Sequence, residues 1–144
     1  MLFRSNEHQP VFDLVEEGER RTLSPTVSND ICRTALELMR NAYQHARARR
    51  IEAEIRYGDS MFRLRIRDDG KGIEPNVLKE GGRVGHWGLR GIRERADRIG
   101  ARLEVWSEPG NGTEVQLLVP ASIAYESHRD SYLAKLVRKV KRGA

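Results

Sequence analysis

Phe62-Arg63-Leu64-Arg65-Ile66-Arg67-Asp68-Asp69-Gly70-Lys71-Gly72 is the stretch that decides the fold of this chain. Its first six residues alternate apolar and cationic without a break. As a strand they bury Phe62, Leu64 and Ile66 on one face and leave Arg63, Arg65 and Arg67 in water. Gly58-Asp59-Ser60, just upstream, is a hairpin signal, and the run 50–57 before it reads as a second strand, so the two are expected to pair antiparallel. Downstream the strand runs directly into a carboxylate followed by two glycines, which let backbone approach a ligand closely. Acidic-glycine turns are common, and no Gly-Lys-Ser/Thr follows at P-loop spacing, so this pattern alone names no ligand.

Working outward, 11–15 (V-F-D-L-V) is a short alternating strand and 18–25 a polar connector. Pro25 or Ser28 opens a helix that runs to about 47. At about 100° per residue, Ile31, Ala35, Leu38 and Ala42 share one narrow stripe with Met39 and Ala46 on its flank, which is a core face. From 68 to 88 the chain reads as a glycine-rich loop with one short helical turn at 76–79; loops of that length are uncommon in compact domains and often form lids. A second helix over 88–99 ends at Gly100, a residue suited to the position just past a helix. Strands at 102–107 and 113–119 flank Glu108-Pro109-Gly110-Asn111-Gly112, and Pro120 stops the last one. A polar tail follows, with a helical pattern from about 131.

The order of elements and the hairpins predict an α+β fold rather than a doubly wound parallel one. The expected architecture is a two-layer sandwich, a mixed and mostly antiparallel sheet covered on one face by helices. Residues 1–10 read as a disordered or extraneous start, 11–120 as one folded domain and 121–144 as a basic tail.

A length of 144 residues is about one domain, and 38% hydrophobic with 33% charged residues describes a soluble globular protein. No run approaches the roughly 18 apolar residues of a membrane span, and 1–10 holds no signal-peptide core. Cys32, the single cysteine, excludes an internal disulfide and any zinc cluster built on several cysteines. It fits a reducing compartment. Lys and Arg outnumber Asp and Glu by 26 to 21, a net charge of +5. Much of that excess is Lys135, Arg138, Lys139, Lys141 and Arg142, with no acid among them. Such a balance suits nucleic acid, an anionic membrane, a phosphate-bearing ligand or simply a solvated end, and does not choose between them.

Three constellations can carry chemistry. Glu37, Asn41 and His45 follow each other at i, i+4, i+8 and form a polar ridge beside the core stripe, where a pocket could meet the helix; an ordinary amphipathic helix has such a boundary too. Asp68 to Gly72 is the second. The third is Gly85-His86-Trp87-Gly88-Leu89-Arg90-Gly91 leading into the 92–99 helix, because glycines entering a helix N-terminus present free N–H groups and the positive end of its dipole to a phosphate. His86 breaks the G-x-G-x-x-G pattern, and the β-α-β context of a dinucleotide fold is missing. His128-Arg129-Asp130 spells the start of a protein-kinase catalytic loop, but the asparagine that loop requires would fall at Lys135.

Taken in this order, the pieces resemble the ATPase fold shared by histidine kinases, gyrase, Hsp90 and MutL. Glu37-Leu38-Met39-Arg40-Asn41-Ala42-Tyr43-Gln44-His45-Ala46 is similar to that family's N box, and Asp68-Asp69-Gly70-Lys71-Gly72-Ile73 to its first glycine box. Gly85 to Gly91 with Arg93-Glu94-Arg95-Ala96 resembles the second, and Gly112-Thr113 the closing Gly-Thr. The detail H-W-G-L-R-G-I-R-E-R-A is most similar to the nitrate-sensor-like branch of histidine kinases. The resemblance covers about 11–120.

That resemblance implies the catalytic, ATP-binding domain of a two-component sensor histidine kinase, with ATP and Mg²⁺ as cofactors. It assigns Glu37 as general base or orienter of the nucleophile near the γ-phosphate, Asn41 to Mg²⁺ and His45 to phosphate. Asp68 would accept from the adenine amino group and so select adenine over guanine. Gly70, Gly72 and Ile73 would line the base, with Thr113 supporting Asp68. Gly88, Leu89 and Gly91 would close over the phosphates behind a lid at 79–87.

The implied partners are a dimerisation segment bearing the acceptor histidine and, indirectly, a response regulator; no nucleic acid is expected. The implied location is the cytoplasmic portion of a receptor in the inner membrane. None of His8, His45, His86 and His128 lies in a plausible acceptor helix, so the chain by itself is expected not to phosphorylate itself. An anti-sigma-type serine kinase of the same fold is the alternative enzyme. A non-enzymatic interaction module using the basic tail is the alternative of another class.

Overall fold

The computed structural model describes residues 9–44, 46–79 and 88–143. The elements are β1 (Val11–Glu17), α1 (Pro25–Gln44), β2 (Arg50–Tyr57), β3 (Met61–Asp68), α2 (Pro75–Lys79), α3 (Leu89–Arg98), β4 (Arg102–Glu108), β5 (Gly112–Pro120), α4 (Ala121–Ala124) and α5 (His128–Gly143). The five strands form one sheet in the order β1-β2-β3-β5-β4. β1 runs parallel to β2, and the other three pairings are antiparallel, as the hairpins require. The α+β sandwich with a mixed, mostly antiparallel sheet is the observed architecture.

The register carries the alternation of β3 across the whole sheet. Ile55, Leu64, Leu117 and Leu103 stand in one transverse row, and Ala53, Ile66, Val115 and Val105 in the next. These rows face the helices: Phe62, Leu64, Ile66, Val115, Leu117 and Val119 are buried together with Val27, Ile31, Leu38 and Ala42 of α1 and Ile92 and Ala96 of α3. The opposite sheet face holds the arginines. Glu54, itself buried, is ion-paired there with both Arg63 and Arg65, so cross-strand charge pairs cover a face that would otherwise need apolar residues.

Local chemistry accounts for most element ends. Pro25 opens α1, where its missing N–H is not needed and its fixed φ is already helical. α3 closes with Gly100 at φ 72°, and a double bond pattern seals the end: Gly100 N–H donates to the Asp97 carbonyl and Ala101 N–H to the Ala96 carbonyl. α1 stops at Gln44 instead of running to 47: the Ala46 N–H reaches back to the Asn41 carbonyl at 3.3 Å, Arg47 turns into the left-handed region at φ 50°, and the Ala46 carbonyl is capped by the Lys71 N–H at 2.7 Å.

Past Pro120 the chain is not uniform. Ala124 and Tyr125 are buried in the core, Tyr125 stacks edge-on with Phe62, and Leu23 and Tyr125 form a β-bridge. Helix then resumes at His128, three residues earlier than the sequence pattern suggests, so His128 itself opens a helix. No helix among the described residues is long and apolar enough to cross a membrane.

Candidate functional site

Asp68 continues the buried series Phe62, Leu64, Ile66, so the alternation that shapes β3 also turns this carboxylate inward. Its row in the sheet is Ile51, Asp68, Thr113 and Ser107. Only 6% of Asp68 is exposed. Its Oδ1 accepts the Gly70 N–H at 2.9 Å, and the Thr113 N–H also donates to the carboxylate. Burial pushes its pKa above the ordinary carboxylate value, and those two donors pull in the other direction without cancelling it. A buried acceptor with an elevated pKa at the end of an apolar sheet face is a group held for a ligand or for structure.

A narrow cavity lies above it, between α1, the sheet and the start of α3. Asn41, Asp68, Ile73, Leu89 and Thr113 line it together with the apolar Leu38, Ile66 and Val115. Five of the residues singled out from sequence therefore meet at one spot, drawn from all three sequence boxes and the closing Gly-Thr. The open space in it is about 10 Å³, one water's worth.

The glycines divide by cause. A Cβ on Gly70 would lie 2.1 Å from the Ala46 carbonyl oxygen, and one on Gly72 would lie 2.1 Å from that of Glu108 at a φ of 75°. Both are needed because backbone presses on backbone: the 70–72 loop is wedged between the end of α1 and the β4–β5 turn. Gly110 N–H to the Lys71 carbonyl, 2.7 Å, ties the second side. Gly88, at φ 56° before α3, faces Glu37, whose Oε1 would be 2.1 Å from an added Cβ. Gly91 has nothing within 4 Å and opens outward.

Glu37 therefore sits at the N-terminal end of α3, beside the cavity rather than in it. There it is ion-paired with Arg95, also of α3. His45 and residues 80–87, which hold most of the expected lid, lie outside the described residues; Lys79 ends α2.

Sequence reasoning passed over three residues that hold this site. Ser107 accepts the Ile73 N–H at 2.7 Å, donates to the Gly112 carbonyl at 3.0 Å and hydrogen-bonds the Thr113 hydroxyl at 2.8 Å. The alternation Leu103, Val105, Ser107 was a signal that its hydroxyl points inward. Asp69 accepts the N–H groups of Arg49 and Arg50 at 2.8 and 2.9 Å, which hold its carboxyl below the usual range and clamp the exit of β3. Arg95, read only as part of a motif, is the partner of Glu37. Among the described residues no group of three or more His, Cys, Asp or Glu side chains could cage a metal ion.

Residues 26–123 match the family described as histidine kinase-, DNA gyrase B-, and HSP90-like ATPase. The chain is similar to the sensor histidine kinase LiaS of Bacillus subtilis (strain 168), with 28% identity over 120 residues, 83% of this chain and 32% of LiaS. It is 42% identical over 86 residues to an uncharacterized sensor-like histidine kinase of Chloroflexus aurantiacus, covering 58% of this chain and 14% of that protein. The solved histidine kinase domain of the Erythrobacter litoralis EL346 blue-light activated histidine kinase superimposes with a TM-score of 0.61 at 25% identity, over 77% of this chain and 55% of that one. The chain thus spans a third or less of the length of these two curated relatives.

Proposed function

The chain belongs to the family of histidine kinase-, DNA gyrase B- and HSP90-like ATPases, and we propose that it is the ATP-holding catalytic domain of a sensor histidine kinase. On this reading it presents the γ-phosphate to a histidine on a separate dimerisation segment, and a response regulator takes the phosphoryl group from there. It works in the cytoplasm, as part of a receptor in the inner membrane. The H-W-G-L-R-G-I-R-E-R-A stretch supports the nitrate-sensor-like branch.

The observation that carries the proposal is the buried Asp68 carboxylate facing an apolar slot. That acceptor fits adenine. Asp68 accepts from an exocyclic amino group, while a guanine would bring a carbonyl to the same point and leave two acceptors face to face. Ile73, Leu89 and Val115 supply apolar walls for the base. With room for about one water, the slot has to widen to admit a purine.

The other end fits phosphates. The first N–H groups of α3, from Leu89 to Gly91, have no acceptor inside the helix and sit at the positive end of its dipole. Asn41 would hold Mg²⁺ through its neutral side-chain oxygen, a hard ligand of the kind that ion takes. ATP when bound supplies the phosphoryl group, and Mg²⁺ the charge neutralisation on its oxygens. Glu37, held by Arg95 beside Gly88, takes or orients the proton of the attacking nitrogen.

The test is incubation of the chain with radiolabelled ATP, Mg²⁺ and a purified two-helix segment bearing an acceptor histidine. Acid-labile label on that segment, absent when Asn41→Ala replaces the native chain, is the expected result. Acid-stable label on a serine of a protein substrate would make this a serine kinase of the same fold and overturn the proposal.

A further inference from the structure

α5 holds the whole net charge of the chain. Six basic residues stand against one acid between His128 and Gly143, which leaves a balance of +5, the chain's formal total, and the rest of the protein neutral. From Ser131 to Gly143 there is no acidic residue at all. Among the described residues no hydrogen bond or ion pair engages Lys135, Arg138, Lys139, Lys141 or Arg142.

The other face of the same helix is apolar and uncovered. Leu133, Leu136, Val137 and Val140 are 50, 41, 53 and 70% exposed. At about 100° per residue these four fall within an arc of about 100°, and the five cations fill about 160° on the other side. From Leu133 onward the two sets do not interleave.

We propose that α5 docks the domain on an anionic phospholipid surface, its apolar stripe entering the headgroup layer and its cations facing lipid phosphates. A short basic helix with a clean apolar face is the form that lies in a membrane interface. A second copy of the chain fits less well. The stripe from Leu133 to Val140 covers about one heptad where a coiled coil needs three or four, and a partner α5 brings a single acid, Asp130, against six cations. Nucleic acid would engage the cations and leave the stripe in water.

The experiment is co-sedimentation of the full chain with vesicles of phosphatidylcholine alone and of phosphatidylcholine mixed with phosphatidylglycerol. Binding is expected only to the mixed vesicles and should weaken with salt. Each cation near an anionic surface contributes about fivefold, so Arg138→Ala with Lys139→Ala should weaken binding about 25-fold. Leu136→Asp with Val140→Asp should also abolish it, and an unchanged thermal unfolding midpoint would show that the domain still folds. Equal binding to both vesicle types, or to neither, would overturn the proposal. So would tighter binding to duplex DNA that the Asp variants leave intact, or a dimer in sedimentation that those variants dissolve.

Discussion

Arg95 of α3 is ion-paired with Glu37 of α1, across 58 positions of sequence, and this contact joins the two helices on which the candidate chemistry rests. Both side chains are partly sheltered, 15% and 32% exposed respectively, and the Arg95 Nε is buried with no acceptor of its own. Removing either partner therefore strands a charge in a half-dry place. Glu37→Gln and Arg95→Met should each cost about 1–2 kcal/mol, with a coupling in the double mutant of about 1 kcal/mol. Urea unfolding of the four proteins measures this, and strictly additive losses would show that the pair is not formed in solution.

Asp68 ties stability to pH. Its carboxyl is raised above the ordinary 3.8 by burial, so the folded chain keeps this proton at pH values where the unfolded chain has lost it. Across that window the unfolded state binds fewer protons, and the contribution of Asp68 to stability falls as pH rises from about the ordinary value through the raised one. Above both values the cost is complete. Asp68→Asn removes the dependence, so its stability relative to the native chain should improve as pH goes from acid to neutral. Unfolding at a series of pH values checks this; a relative stability that declines over the same range would contradict the burial argument.

Glycines 70 and 72 should not tolerate alanine, and Gly91 should. The first two meet backbone oxygens at 2.1 Å, which no side-chain rotation relieves. Losses of at least about 2 kcal/mol are expected at each. At Gly91, with nothing within 4 Å and a helical position, alanine should add about 0.5–1 kcal/mol. Thermal melts of the three variants decide it, and a destabilised Gly91→Ala would mean that the start of α3 packs differently.

Ser107→Ala should loosen the site from behind. It strips the acceptor from the Ile73 N–H and one hydrogen-bond partner from Thr113, for about 1–3 kcal/mol of stability. Nucleotide affinity should drop as well, because Ile73 lines the slot. Full affinity in a destabilised variant would separate Ser107 from the site.

The alternation 62–67 was legible because it is local: it foretold β3 and the antiparallel sheet, and extending it one step puts Asp68 inside. What escaped depends on contacts distant in sequence. Gln44 to Arg47 has residues that suit a helix, yet α1 ends there, with Arg47 left-handed and the Ala46 carbonyl capped by the distant Lys71 N–H. Ser107 acquires its role only when β4 registers with β5. Arg95 acquires its own only when α3 lies against α1. The apolar contacts of Ala124 and Tyr125 lie in a segment whose sequence reads as polar tail, so periodicity could not separate it from α5.

The direct test of the adenine-reading role of Asp68 is calorimetric titration of the chain with ATP and with GTP in the presence of Mg²⁺. A carboxylate that reads an amino group rejects a carbonyl, so ATP should bind at least about tenfold more tightly, and Asp68→Asn should erase most of that preference. Equal binding of ATP and GTP by the folded native chain would contradict it.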